Sequence, residues 1–169
     1  DAIREEARLL GPIRESADYC IDTTALSPNQ LRGRIVSLFE GETSPMLISC
    51  VSFGFRNGLP QDADLIFDVR CLPNPYYVPE LKEHDGTEKA VCDYVMDAPE
   101  SHEMLQKLRD LLGFSIPLYL REGKSQLVIG VGCTGGRHRS VAIACQLAAY
   151  LRGLGYRVEL FHRDKDMKR

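Results

Sequence analysis

Apolar residues along the chain follow two spacings, one typical of β-strands and the other typical of α-helices. Short apolar runs rich in β-branched residues predict strands at 46–53, 64–69, 126–131 and 156–161. Apolar residues three or four positions apart predict helices that begin at Pro28, Pro99 and Val141. Because strands and helices alternate, the chain is predicted to have an α/β fold, with a mainly parallel sheet flanked by helices.

Glycines and prolines predict where these elements break. The second of the three helices is expected to be interrupted by Gly113 and Pro117, since both residues disfavour a helix interior. Three prolines within residues 71–79 predict an extended loop. Upstream, residues 18–23 are predicted to form a short strand, and the turn-rich residues 41–45 are expected to be a linker.

Composition narrows the class of protein but does not define its function. The 169 residues are 44% hydrophobic and 27% charged, close to the globular average, so disorder is not indicated. No apolar run approaches the roughly 18 residues of a membrane span, so no membrane partner is expected and a cytoplasmic protein is predicted. The net charge of −3 confines any nucleic-acid binding to a local patch.

The six cysteines are widely spaced and form no C-x-x-C pair, so neither a metal site nor a redox motif is expected. Cys133 is distinct because it lies in a glycine-rich stretch. The others are predicted to be buried thiols in a reducing compartment: Cys20, Cys50, Cys71, Cys92 and Cys145.

Residues 126–154 are predicted to form a strand, a glycine-rich turn and a helix, an arrangement that binds anions. Glycines let the backbone approach a ligand closely, and the free N–H groups and the dipole of a helix start favour negative charge. Hydroxyl, imidazole and guanidinium donors lie in the same stretch. The predicted phosphate-binding residues are Gly132, Cys133, Thr134, Gly135, Gly136, Arg137, His138, Arg139 and Ser140.

One function that fits this turn is catalytic. The pattern C-x-x-G-x-x-R-S, which begins at Cys133 and ends at Ser140, matches the phosphate loop of cysteine-dependent phosphatases. Cys133 would attack phosphorus, and Arg139 would hold the phosphoryl oxygens. However, Gly132 stands where that family usually carries His, and the chain has no aromatic-Pro-Asp acid loop.

The other function is binding without catalysis. The turn would then hold the phosphate of a sugar phosphate or nucleotide sugar and leave it intact. Asp68 and Arg70 lie at the carboxyl end of a predicted strand, the edge where open α/β sheets place their ligands, and Asn74 lies in the loop beyond. These three side chains would form hydrogen bonds to the sugar.

Several motifs, occurring in order over residues 46–169, together resemble the C-terminal domain of the RapZ/YvcJ family, the RNase adapter and nucleotide-binding proteins of bacteria. Residues 1–45 resemble the tail of the P-loop NTPase-like domain that precedes it in that family. The motifs are Ser52-Phe53-Gly54-Phe55, Asp62-Ala63-Asp64, Phe67-Asp68-Val69-Arg70, Leu72-Pro73-Asn74-Pro75, Arg121-Glu122-Gly123-Lys124-Ser125, Gly132-Cys133-Thr134-Gly135-Gly136 and His138-Arg139-Ser140-Val141.

The resemblance implies that residues 46–169 sense an amino-sugar metabolite, either glucosamine-6-phosphate or UDP-N-acetylglucosamine. It adds Ser52 and Tyr76 to the ligand-binding residues. Tyr76 departs from the family, because RNA-adapter members carry His there, and Arg137 stands where Lys or Gln is common. ATP or GTP binding and slow hydrolysis are expected of the family's N-terminal domain. These 169 residues contain no G-x-x-x-x-G-K-[ST], so no nucleotide cofactor is expected within them.

The resemblance further implies a homo-oligomer when full length, and in some members the binding of a small RNA that is presented to a ribonuclease. The C-terminal tail is basic, but Asp164 and Asp166 partly neutralise its positive charge. RNA binding and a tail that is only solvated therefore stay open as alternatives. The candidate RNA-binding residues are His162, Arg163, Lys165, Lys168 and Arg169.

Overall fold

The computed structural model describes residues 2–39 and 46–167, which fall into two compact units within Asp1–Thr43 and Ser44–Arg169. The first unit contains helices α1 (Ala2–Ser16) and α2 (Pro28–Phe39). The Ser27 hydroxyl caps α2 by accepting the Gln30 N–H at 3.3 Å. The predicted start of this helix at Pro28 is therefore confirmed, whereas the predicted linker at 41–45 lies outside the described residues.

The strand predicted at residues 18–23 is wrong, because that segment is irregular and leads into a turn at residues 24–25. The Asp22 carboxylate accepts hydrogen bonds from the backbone N–H of Thr24 at 2.9 Å and from its hydroxyl at 2.6 Å. A short side chain that bonds its own backbone competes with strand pairing, and the alternation of apolar residues does not reveal this competition.

Within residues 46–167, four strands form one parallel sheet in the order β2-β3-β1-β4. The predicted α/β fold is therefore confirmed. The strands are β1 (Leu47–Gly54), β2 (Leu65–Asp68), β3 (Gln126–Cys133) and β4 (Arg157–His162), and the helices are α3 (Lys89–Met96), α4 (Pro99–Arg121) and α5 (Arg139–Gly153).

The core of this second unit joins the two central strands to the apolar faces of α4 and α5. Strand β1 pairs with β3 over its whole length, and β3 is buried along most of it, as expected for a central parallel strand. No helix in the described parts of the chain is long and apolar enough to cross a membrane.

Helix α4 runs without a break through Gly113 and Pro117, so the predicted interruption is wrong. A proline inside a helix costs about 3 kcal/mol. Leu112 and Ile116 are both fully buried on the same helix, and burying each such side chain stabilises the fold by about 1.5–3 kcal/mol. The apolar stripe therefore outweighs the proline.

The cysteine prediction is also partly wrong. Cys20 and Cys71 are exposed, and Cys92 and Cys145 are half-buried. Cys50 is buried as predicted, and burial raises the pKa of its thiol to about 12. Apolar neighbours in sequence therefore do not ensure burial, because Cys20 and Cys71 lie in connecting segments rather than on a covered strand.

Candidate functional site

Strands β1 and β3 end side by side, with Gly54 paired to Cys133 in the parallel register. The glycine-rich turn that follows β3 lies against the end of β1, and this contact leaves no space for side chains. A Cβ on Gly54 would lie 2.5 Å from the carbonyl carbon of Gly135, and Gly136 has a φ of +79°. These two glycines are therefore required by a close backbone approach and by a left-handed conformation.

A cavity of about 310 Å³ opens over this turn at the start of α5. Among the described residues, its lining includes three arginines and no aspartate or glutamate. The lining residues are Arg56, Asn74, Tyr76, Tyr77, Cys133, Thr134, Gly135, Arg137, His138, Arg139 and Met167. The cavity is therefore basic, although the chain carries a net charge of −3.

Cys133 stabilises the inner side of the turn. Its Sγ atom accepts the backbone N–H of Gly136 at 3.3 Å and lies 3.1 Å from the hydroxyl of Ser140. The residue is 3% exposed. This geometry suits a thiol that holds the turn closed, and the same sulfur is the nucleophile that the phosphatase pattern would require.

The guanidinium of Arg139 is buried and has neutral partners. Its Nη1 donates to the backbone carbonyls of Arg70 at 2.5 Å and Leu72 at 3.1 Å, and its Nη2 donates to the Thr134 hydroxyl at 3.3 Å. Its Nε is buried without a hydrogen-bond partner among the described residues. Arg139 thus ties the start of α5 to the loop that follows β2. Its charge also helps to lower the pKa of Asp68, which is hydrogen-bonded to Arg70.

Arg137 and His138 tie the turn to another loop. The guanidinium of Arg137 donates to the backbone carbonyls of Glu83 and His84, and Nε2 of His138 lies 3.2 Å from the carbonyl of Lys82. Both side chains therefore hold residues 82–84 beside the cavity as well as lining it.

The residues predicted to bind the sugar are only partly brought together. Asn74 and Tyr76 line the cavity, but Asp68 and Arg70 do not. Arg70 pairs with Asp68, with Nη2 and Oδ2 2.6 Å apart, and its hydrogen bonds lower the pKa of that carboxyl. Arg70 also lies over the ring of Phe55, with its guanidinium carbon 4.2 Å from the ring centroid.

Other predicted residues have structural positions nearby. Ser52 is fully buried, and its hydroxyl lies 2.8 Å from Nδ1 of His162. A Cβ on Gly132 would lie 2.5 Å from the ring of Phe55, so this glycine makes room for aromatic packing. Gly136 and Ser140 do not line the cavity, and they contact Cys133 instead.

Three of the candidate RNA-binding residues form ion pairs or hydrogen bonds within the fold: His162, Arg163 and Lys165. His162 is half-buried, and burial lowers its pKa. Arg163 pairs with Asp164 at 2.7 Å, and Lys165 lies 3.5 Å from an Asp85 carboxylate oxygen. The remaining two, Lys168 and Arg169, lie outside the described residues.

Three lining residues were missed by the sequence prediction: Arg56, Tyr77 and Met167. Arg56 had a usable signal, because it follows directly after β1, at the sheet edge where parallel α/β folds bind ligands. The sequence contains no such signal for Met167, since its place in the cavity depends on how the chain folds back after β4.

The fold and the site define a class of protein: an α/β domain whose glycine turn, at the carboxyl edge of a parallel sheet, lines a basic cavity. A family model described as the RapZ C-terminal domain matches residues 46–166. The chain therefore belongs to the RapZ family, as its motifs predicted.

Curated relatives cover nearly the whole chain. It is 50% identical to a nucleotide-binding protein of Caldicellulosiruptor saccharolyticus, over 99% of this chain and 59% of that protein. It is 51% identical to a nucleotide-binding protein of Acetivibrio thermocellus over 97% of this chain and 57% of the relative. It is 52% identical to a nucleotide-binding protein of Staphylococcus epidermidis over 97% of this chain and 55% of that protein. The chain thus spans under two thirds of the length of these relatives.

Proposed function

We propose that the domain within residues 46–167 binds a phosphorylated amino sugar or a nucleotide sugar and acts as a sensor that leaves the ligand intact. The observation that carries this proposal is the charge of the cavity. Its described lining has three arginines and no acidic residue, and it lies at the start of α5, where helix N–H groups favour an anion.

The state of Arg139 supports an anionic ligand. A buried charge is costly unless it is paired, and the described partners of this guanidinium are two carbonyls and a hydroxyl. Asp68 lies close enough for Arg139 to help lower its pKa, but the hydrogen bonds of the guanidinium go to neutral groups, so a phosphate in the cavity would add a favourable negative charge. A cationic ligand is disfavoured by the three arginines of the lining.

The size and polarity of the cavity support a sugar. Small-molecule sites occupy about 300–1,000 Å³, so a cavity of about 310 Å³ lies at the lower limit. Asn74 supplies an amide, and the Tyr76 and Tyr77 rings meet edge to face with centroids 5.7 Å apart. This volume suits glucosamine-6-phosphate, whereas UDP-N-acetylglucosamine would extend beyond Tyr77, which is 80% exposed.

The phosphatase alternative is favoured by one observation: the Cys133 sulfur accepts the Gly136 N–H and lies next to the Ser140 hydroxyl. Two features oppose it. Arg139, which would have to hold the phosphoryl group, donates to two carbonyls. In addition, the described lining contains no carboxylic acid to protonate a leaving group.

Titration calorimetry on the full chain tests the sensor function. We expect glucosamine-6-phosphate to bind, N-acetylglucosamine to bind far more weakly because it lacks phosphate, and inorganic phosphate to compete. If neither glucosamine-6-phosphate nor UDP-N-acetylglucosamine gives saturable heat, the proposal is wrong. Tyr77→Ala separates the two ligands, because it should weaken only the one that reaches past this ring.

Hydrolysis of an aryl phosphate separates the sensor from the phosphatase. Cys133→Ser is the matched variant, since a hydroxyl preserves an acceptor for Gly136 but is a much weaker nucleophile in this context. We expect the unmodified chain and this variant to show the same background rate. Turnover by the unmodified chain that Cys133→Ser abolishes would establish the phosphatase instead.

RNA binding, a ribonuclease partner, ATP or GTP binding by the full-length protein and homo-oligomerisation are part of the same proposal by family membership. The name of the relatives, nucleotide-binding protein, supports the nucleotide component. For RNA, the supporting feature is the basic character of residues 162–169. Affinity for RNA should then fall steeply with added salt, because each phosphate contact releases counterions.

A further inference from the structure

The three arginines of the cavity differ in what holds their side chains. The guanidinium groups of Arg137 and Arg139 donate to backbone carbonyls of neighbouring loops. The side chain of Arg56 is exposed and makes no hydrogen bond or ion pair with any residue that the structure describes. A ligand phosphate would therefore compete with existing bonds at two of these arginines and with water alone at Arg56.

The backbone fixes Arg56 beside the turn. Its N–H donates to the carbonyl of Thr134 at 3.2 Å, within a 3₁₀ turn (Phe55–Asn57) that directly follows β1. Its Nη2 lies 3.3 Å from the position that a Cβ on Gly135 would occupy. The guanidinium thus lies against the bare backbone of the glycine turn, on the cavity side.

We propose that Arg56 contacts the anionic group of the ligand directly and that it sets the preference of the cavity for phosphorylated over uncharged sugars. This inference rests on the proposed function of the same cavity. Arg137 and Arg139 add positive charge, but their carbonyl bonds position the loops around residues 70–72 and 82–84.

The chemistry of guanidinium favours this role. Its planar fork donates two parallel hydrogen bonds to phosphate oxygens, and such charge-assisted bonds are roughly twice as strong as neutral ones. Arg56 gives up no described hydrogen bond or ion pair when it turns toward the ligand. Gly135 keeps that path open, because a side chain at this position would press on the guanidinium.

The test compares Arg56→Ala and Arg56→Lys with Arg157→Ala in the full chain. Arg157 is an exposed arginine of β4 outside the cavity lining, so it controls for the loss of one positive charge. Calorimetric titrations use glucosamine-6-phosphate, inorganic phosphate and N-acetylglucosamine. Thermal melts should be unchanged in all three variants, because both side chains are exposed and neither makes a described hydrogen bond or ion pair.

We expect Arg56→Ala to weaken the binding of glucosamine-6-phosphate roughly tenfold to a hundredfold, which corresponds to the loss of one charge-assisted hydrogen bond. The affinity for inorganic phosphate should fall in parallel, whereas the affinity for N-acetylglucosamine should not change. Arg56→Lys should lose less affinity than Arg56→Ala, and Arg157→Ala should bind the ligands as tightly as the unmodified chain does. If the unmodified chain binds and Arg56→Ala binds equally well, the inference about Arg56 is overturned and the sensor proposal stands. If the unmodified chain binds neither glucosamine-6-phosphate nor, in a parallel titration, UDP-N-acetylglucosamine, both are overturned.

Discussion

Replacing Asp164 tests whether the end of β1 and the glycine turn are held together by one buried carboxylate. Asp164 is 1% exposed; it accepts the Gly54 N–H at 2.6 Å and two guanidinium N–H groups of Arg163 at 2.8 and 2.7 Å. Its Cβ also lies 2.8 Å from where a Cβ on Gly136 would be. The residue therefore joins the C-terminal segment to both sides of the backbone contact beneath the cavity.

The size of the effect follows from these contacts. Hydrogen bonds to a charged group contribute about 1.5–3 kcal/mol each. The Arg163 side chain is 24% exposed, so solvent reduces the value of its ion pair, whereas the Gly54 N–H is buried. Asp164→Asn removes the charge and turns an NH₂ group toward donors. We therefore expect it to lower the free energy of unfolding by about 2–3 kcal/mol.

The pH dependence provides a second measurement. Burial tends to raise the pKa of Asp164, but the hydrogen bonds from Arg163 and from the Gly54 N–H outweigh it and hold the pKa below its ordinary value. A carboxylate with a lowered pKa contributes stability that is present above its unfolded pKa, about 4, and is lost as pH falls through its folded pKa. The acid loss of stability should therefore be shallower in Asp164→Asn.

Urea unfolding followed by circular dichroism, repeated from pH 7 to pH 3, measures both effects. Asp166→Asn is the matched control, because that side chain is 87% exposed and its contact with Lys165 is solvated. It should change stability by less than about 0.5 kcal/mol. A result for Asp164→Asn that equals the control at pH 7 would refute the structural role given to this carboxylate.

Three further substitutions test other parts of the fold and site. Gly54→Ala should lower the free energy of unfolding in urea by about 1–3 kcal/mol, because its Cβ would meet a backbone atom at 2.5 Å. The control Gly153→Ala should be neutral or stabilising, because nothing lies within 4 Å of the added Cβ. Pro117→Ala should raise the melting temperature, since it restores a hydrogen bond inside α4; an unchanged melt would contradict this. Lys165→Ala should reduce the slope of log affinity for RNA against log salt concentration by about 1, since one phosphate contact is lost. An unchanged slope would show that this residue does not contact RNA.

The architecture was predictable from the sequence because it depends on local patterns. The four strands and α5 follow apolar runs bounded by glycines and charged residues, and Pro28 begins α2 as a proline at a helix start should. Pro117 shows where local rules fail. Its helix continues because Leu112 and Ile116 are buried by other elements, and a sequence pattern does not state which face will be covered.

The site was predictable to the extent that it depends on the glycine turn. Six of the nine residues predicted there line the cavity, and the choice of side chains beyond the turn was less accurate. Asp68 ends β2 at the expected edge and Arg70 follows it, but they pair with each other, an outcome that their spacing alone does not reveal. Arg56 lies at the end of β1, and the sequence does not show that its guanidinium would remain without a described partner.

The same contacts explain why a turn with a phosphatase-like pattern can serve binding alone. In a phosphatase the arginine must follow the phosphoryl group as its geometry changes, which requires a guanidinium free to reorganise its bonds. Arg139 instead shares Nη1 between the carbonyls of Arg70 and Leu72, so moving it would release the loop that carries Asn74 and Tyr76. A rigid arginine of this kind holds the cavity wall in place before a ligand arrives. A wall positioned in advance suits the proposed binding of an intact anion better than phosphoryl transfer.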